Sequence, residues 1–156
     1  MGNEPTVVIT FNLRLPRDEA SVPVVRHLCR DALVELGVED HCVSDVELAV
    51  TEACTNVVRH AAGTHDVYEV AVQVDPSICS IKVTDLGIGV VDGDLSRQAA
   101  NHEEGGRGIF LMRHLVDDLE FISKPEQGTL VRLEKHLSFI QGAIGARLAA
   151  SLSPAR

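Results

Sequence analysis

Tryptophan is absent from this 156-residue chain, tyrosine occurs once and phenylalanine four times. A core built from it has to be filled by aliphatic side chains and alanine. Basic residues are also scarce: 14 Lys and Arg against 23 Asp and Glu leave a net charge of −9. No basic stripe is available to displace counterions from phosphates, which argues against a nucleic-acid binder. The four cysteines (Cys29, Cys42, Cys54 and Cys79) form no CxxC pair, and three fall in helical patterns and one in a strand pattern. Buried, reduced thiols are the expectation. The seven histidines are scattered without an HExxH or similar cluster, so a zinc site is not expected. No apolar run approaches the ~18 residues of a membrane-spanning helix, and the start MGNEPT has none of the marks of a signal peptide. A cytoplasmic protein without membrane partners is expected.

What is present is 45% hydrophobic and 24% charged residues, the make-up of an ordinary globular domain large enough to bury its own core. Thr6–Leu15 alternates, with Val7, Ile9, Phe11, Leu13 and Leu15 on one side, which predicts a half-buried strand closed by Pro16. Asp18–Leu36 has helical spacing, with Pro23 in its first turn and Gly37 as its cap. A second helix is predicted from about Asp40 to Ala62, stopping at Gly63. Val67–Val74 and Ile78–Thr84 read as a hairpin turning at Asp75, Pro76 and Ser77. Residues 90–104 show little periodicity and predict a mobile connector. Gly105, Gly106 and Gly108 then lead into the helical pattern IFLMRHLVDDL. Strands Glu120–Lys124 and Thr129–Lys135 follow. The tail from Leu137 is weakly amphipathic and reads equally as a docked helix or a frayed end. Strands that cluster rather than alternate with helices predict an α+β two-layer sandwich, a mostly antiparallel sheet covered by helices on one face.

Several polar residues sit where apolar ones are expected. Val46, Ala49, Val50, Ala53 and Val57 give the second helix a buried face, and Glu52 and Asn56, four apart, lie on its edge. Alone, such a pair is most simply a solvated shoulder. Asp85, however, is next in phase after Cys79, Ile81 and Val83, so a carboxylate continues the inward side of a strand, and Gly87 and Gly89 follow it. Thr129 shares a face with Val131 and Leu133. Each piece has a use if the guest is a nucleotide with Mg²⁺. A buried carboxylate accepts a hydrogen bond from an exocyclic amine, and a neighbouring hydroxyl holds a bridging water. An Asn oxygen is a hard neutral ligand suited to Mg²⁺. A glycine-rich helix entry presents N–H groups to phosphate. A Glu beside the γ-phosphate can orient or deprotonate an attacking hydroxyl. Arg107 either reaches a phosphate or faces solvent. His60 and His114 read as surface or partly packed residues. The Walker pattern is absent, and Asp92-Gly93-Asp94 lacks the ligand spacing of a calcium loop.

Taken together and in order, ELAVTEACTNVVRHA resembles the N-box, DLGIG the first glycine box and GGRGIFLM the second glycine box of the GHKL ATPases. Within that superfamily, LVDDLEF and the ending GTLVRLEKHLS are most similar to the anti-sigma-factor serine kinases. The resemblance spans about residues 6–138. It implies the Bergerat nucleotide-binding fold, an ATP-binding kinase domain at 1–138 and a C-terminal tail at 139–156 outside it. It implies Glu52 as general base, Asn56 as Mg²⁺ ligand and Asp85 on the adenine amine. Gly87 and Gly89 would shape the base pocket, Gly105, Gly106 and Gly108 would lie under the phosphates beneath a lid at about 90–104, and Thr129 would support the adenine. The implied activity is an ATP-dependent serine kinase that holds an RNA polymerase sigma factor inactive and phosphorylates a STAS-domain anti-anti-sigma factor, with a homodimer expected. Where some members carry an arginine two residues before the first glycine of the GxG, this chain has Glu104, and Arg107 is the nearby basic residue. A nucleotide-responsive binding switch with little kinase turnover is the alternative. A histidine-kinase catalytic domain is a third, weakened by the lack of an upstream helical hairpin with an acceptor His.

Overall fold

The computed structural model describes residues 9–60, 66–85, 106–124 and 128–152. Its elements run β1 (Ile9–Pro16), a 3₁₀ turn (Glu19–Ser21), α1 (Val22–Leu36), α2 (Asp40–His60), β2 (Val67–Val74), β3 (Ile78–Asp85), α3 (Gly106–Leu115), β4 (Asp118–Lys124), β5 (Gly128–His136) and α4 (Ile144–Leu152). The five strands form one sheet in the order β1-β2-β3-β5-β4, and each pairing is antiparallel. The expected α+β architecture is what the chain adopts.

Alternation decides which face is covered. Tyr68, Val70, Val72 and Val74 on β2, and Cys79, Ile81, Val83 and Asp85 on β3, are all buried. Of their alternates, Gln73 and Lys82 are exposed and the rest half-buried. The helices lie over the first set. From α2, Val46, Ala49, Val50, Ala53, Cys54 and Val57 show no exposed surface at all, and the two alanines let the helix axis come close to the sheet. From α1, Val25, Cys29, Leu33 and Leu36 complete the same core. Tyr68 is the one aromatic among its largest fully buried side chains, as the aromatic-poor composition requires.

The ends of the elements follow local chemistry. Asp18 caps the 3₁₀ turn by accepting from the Ala20 N–H, Pro23 lies in the first turn of α1, and Gly37 closes that helix with φ of 78°, a conformation that costs a residue with a Cβ about 1 kcal/mol or more. The β2–β3 turn is held by Asp75 Oδ1, which accepts from the N–H groups of Ser77 and Ile78 at 2.7 and 2.6 Å. One boundary departs from expectation. The helical pattern through LVDDL predicts α3 to Leu119, yet α3 stops at Leu115 and β4 starts at Asp118. The Asp117 N–H donates to Glu134 O at 2.9 Å, so pairing with β5 takes over from the helical ladder. The tail forms α4, whose Gly145 lies against Phe139 and the Leu36 carbonyl. An isolated bridge from Val38 to Phe139 ties the α1–α2 connection to the chain after β5. Among the described residues no helix is long and apolar enough to cross a membrane.

Candidate nucleotide site

The helix-covered face of the sheet ends in polar groups rather than apolar ones. Asp85, the last residue of β3, is 6% exposed, and Thr129, near the start of β5, is 4% exposed. The β3–β5 register runs to Thr84 opposite Leu130; one step further sets Asp85 beside Thr129. Gly128 adjoins them with a φ of +97°, a backbone conformation that favours glycine, and a Cβ there would make ordinary contact with the Cβ and Oδ2 of Asp85 at 3.5 Å. On α2, Asn56 is 6% exposed and Glu52 is half-buried. Gly108, in the first turn of α3, faces both. A methyl at that position would sit 2.7 Å from Glu52 Oε2 and 3.6 Å from Asn56 Nδ2. Because the Glu52 carboxylate is the flexible party, a side chain at 108 would displace that carboxylate rather than unfold the helix.

The hydrogen-bond account of this region does not close. Among the described residues, two buried side-chain atoms have no hydrogen-bond partner, and they are Asn56 Nδ2 and Asp85 Oδ1. Each such group costs about 1–3 kcal/mol of stability, so a pair beside the close approach of Gly108 and the positive-φ turn at Gly128 marks a place shaped for a polar guest. The α3 N-terminus at Gly106 adds N–H groups that have no intrahelical acceptor. The wall behind Asp85 is closed by contrast. Tyr68, its cross-strand neighbour, shares a hydrogen bond with Ser21 Oγ at 2.7 Å, and Ser21 Oγ lies within hydrogen-bond distance of the Asp18 carbonyl at 2.6 Å. Burial pushes the Tyr68 phenol up to about 12, opposed by its bond to Ser21, so it stays neutral at any physiological pH.

Glu52, Asn56 and Gly108 therefore meet at one place, and Asp85, Gly128 and Thr129 at another on the same side of the sheet. Gly106 opens α3. Gly87, Gly89, Gly105, the side chain of Arg107 and the connector at 90–104 lie outside the described residues. Cys29, Cys42, Cys54 and Cys79 are free and buried, and His114 is an exposed residue whose ring is tilted against that of Phe110, with centroids 4.3 Å apart. Gly128 and Tyr68 escaped the sequence reading. Tyr68 carried a signal, since it alternates in phase with Val70, Val72 and Val74, whereas Gly128 looked like any turn glycine.

Residues 15–135 match the histidine kinase-like ATPase domain. The chain belongs to that family. Among its relatives, the anti-sigma F factor of Pasteuria penetrans is 35% identical over 103 residues, covering 61% of this chain and 69% of the relative. The serine-protein kinase RsbW of Halalkalibacterium halodurans is 30% identical over 139 residues, covering 82% and 83%. The fold resembles part of a solved structure of the RsbU and RsbW domains of a Mycobacterium tuberculosis protein, with a TM-score of 0.65 at 20% identity; the match takes in 85% of this chain and 34% of that longer one. The Bergerat-type ATPase architecture expected from the three boxes is thus the architecture present, and ATP is the nucleotide its family name specifies.

Proposed function

We propose that the chain is an ATP-dependent serine protein kinase and anti-sigma factor, which sequesters a sigma factor and phosphorylates a STAS-domain antagonist of that sequestration. The observation that carries the reading is the pair of orphaned atoms on Asn56 and Asp85 beside Gly108 and Gly128. The names of the relatives, anti-sigma F factor and serine-protein kinase RsbW, support the activity and the sigma partner. A cytoplasmic setting goes with both.

In this proposal Asp85 receives the adenine amine, and Thr129 supports the base through its hydroxyl. Gly87 and Gly89 let the chain lie against the ring, and Gly105, Gly106 and Gly108 give the α3 N-terminus its close approach to phosphate, with Arg107 as the nearby cation. Asn56 is the candidate Mg²⁺ ligand. Its Nδ2 has no partner, so its amide turns over without losing a bond and can offer Oδ1 instead. Among the described residues no cluster of His, Cys, Asp or Glu could hold a metal unaided, which suits an ion completed by phosphate oxygens and water. Bound Mg-ATP supplies the transferable phosphoryl group and the neutralisation of its charge. Glu52 takes the proton of the incoming serine hydroxyl and holds that oxygen in line for attack. A homodimer using the first strand and first helix is part of the proposal. The edge position of β1 and the exposed Val24 and Leu28, one turn apart on α1, support it.

Incubation with γ-labelled ATP and candidate STAS-domain proteins tests the reading, with label expected on a serine of one of them. Glu52→Ala should keep nucleotide affinity and lose at least about a hundredfold of the transfer rate, the scale of a missing general base. Undiminished transfer would remove Glu52 from its role. A stable complex without any labelling would favour a nucleotide-responsive binding switch.

A further inference from the structure

Three polar side chains fall on one line along α2. Glu52 and Asn56 stand seven and eleven residues after Asp45, each within about 20° of a whole number of turns. The upper two meet Gly108 at the start of α3. Asp45 is joined to the other end of the same helix through Lys135. The Lys135 Nζ donates to Asp45 Oδ2 at 2.9 Å and to the carbonyl of Leu115, the last residue of α3, at 2.8 Å. Gly108 and Leu115 are also seven residues apart, so α3 runs antiparallel to α2 and is attached to it at both ends of a matched span of about 10 Å.

The position of the lysine is unusual for its type. It follows Thr129, Val131 and Leu133 in alternation on β5 and so lies on the helix-covered side, with its side chain only 15% exposed. A leucine or methionine there would fill the same space without the desolvation that a charge brings. The ammonium does what neither can, satisfying a helix-terminal carbonyl at the negative end of the α3 dipole while holding a carboxylate of α2.

We propose that Lys135 is a positioning residue for the nucleotide site. Bridging Asp45 and the Leu115 carbonyl, it fixes how far α3 can slide along α2, and so fixes where the Gly106–Gly108 end stands against Glu52 and Asn56. The inference rests on the ATP-site reading above. It predicts a defect in phosphate recognition and not in base recognition, because Asp85 and Thr129 are carried by strands that the clamp does not hold in register.

Binding of ATP by calorimetry and of adenosine by NMR titration, with thermal melting alongside, provides the test. Lys135→Met should weaken ATP about tenfold, in line with an active-site element displaced by a fraction of an ångström, with adenosine affinity within about twofold of wild type. Lys135→Arg, which keeps the charge and the donors, should recover most of the loss. Asp45→Asn, a milder change at a part-exposed pair, should weaken ATP about threefold in the same pattern and carries the test if Lys135→Met does not fold. The proposal is overturned if both variants bind ATP as the wild type does, or if ATP and adenosine weaken equally, since that is the signature of a general loosening. Failure of the wild-type protein to bind ATP would instead sink the site reading on which the clamp depends.

Discussion

Tyr68 and Asp85 face one another across β2 and β3, both nearly sealed from water, and they differ in what their oxygens find. The phenol oxygen ends in a closed chain through Ser21 to the Asp18 carbonyl. Asp85 Oδ1, like Asn56 Nδ2 on α2, ends in nothing among the described residues. A fold selected for stability alone gains from the first arrangement and loses from the second. Burial therefore does not separate structure from function here; satisfaction of the buried group does. Lys135 and Asp45 also have their bonds made, so any effect they have on the site comes through where they hold α3 and not through a group left open for a guest.

The sharpest way to break the comparison is to replace the unsatisfied groups. Asp85→Asn exchanges a buried carboxylate that already has an unpartnered oxygen for a neutral amide that is cheaper to bury, so the melting temperature should hold or rise, while ATP affinity falls about a hundredfold if the carboxylate accepts a charge-assisted hydrogen bond from the base as proposed. Asn56→Ala should likewise leave stability nearly unchanged and should abolish most of the gain in ATP affinity that added Mg²⁺ confers in the wild type. Calorimetry at two Mg²⁺ concentrations, paired with thermal melts, measures both. A large drop in melting temperature with affinity intact would place these residues in the structural class and undo the distinction.

Much of this was legible beforehand because the strands alternate and the second helix has an apolar stripe, so Asp85 and Asn56 stand out as polar residues on inward positions. Three features were not legible, for physical reasons. The end of α3 depends on Asp117 pairing with Glu134 and on Lys135 capping Leu115, and both partners come from a strand that the local pattern of LVDDL does not contain. The clamp joins Asp45 to a lysine 90 residues away, a separation at which no spacing rule applies. Gly128 is distinguished by a positive φ and by its nearness to Asp85, neither of which composition reports. The glycines at 87 and 89, which sequence placed in the base pocket, lie outside the described residues.

The satisfied region should answer in the opposite sense. Tyr68→Phe deletes the phenol oxygen and leaves Ser21 bonded only to Asp18. We expect a loss of about 1–1.5 kcal/mol, the net worth of a neutral hydrogen bond, or a melting temperature lower by roughly 2–6 °C, with ATP affinity within about twofold of wild type. An affinity loss as large as that of Asp85→Asn would show that the two networks are one, and that Tyr68 holds the Asp85 carboxylate in place from behind.

The smallest effect near neutral pH, and the one that grows with alkalinity, comes from the core thiols and Tyr68. Burial pushes the Cys29 thiol from 9.0 up to about 12 and drives those of Cys54 and Cys79 higher still, while Tyr68 moves from 10.0 to about 12. Each is an acid whose folded-state value lies above its unfolded one, so the native protein keeps a proton that the unfolded chain surrenders. The stability tied to these protons is complete below about pH 9, where neither state has ionised. Above it, each thiol takes away up to about 1.4 kcal/mol per pH unit, until pH passes its folded value. Denaturant midpoints should thus be flat from pH 7 to 8.5 and fall steeply from pH 9.5 to 11. Iodoacetamide at pH 8 should leave Cys29, Cys54 and Cys79 unmodified until denaturant is added, because the thiolate is the reacting form. Rapid alkylation of the native protein at those three positions would mean that the core opens locally at far lower free energy than its packing implies. The line between satisfied and unsatisfied burial would then have to be redrawn around α1 and α2.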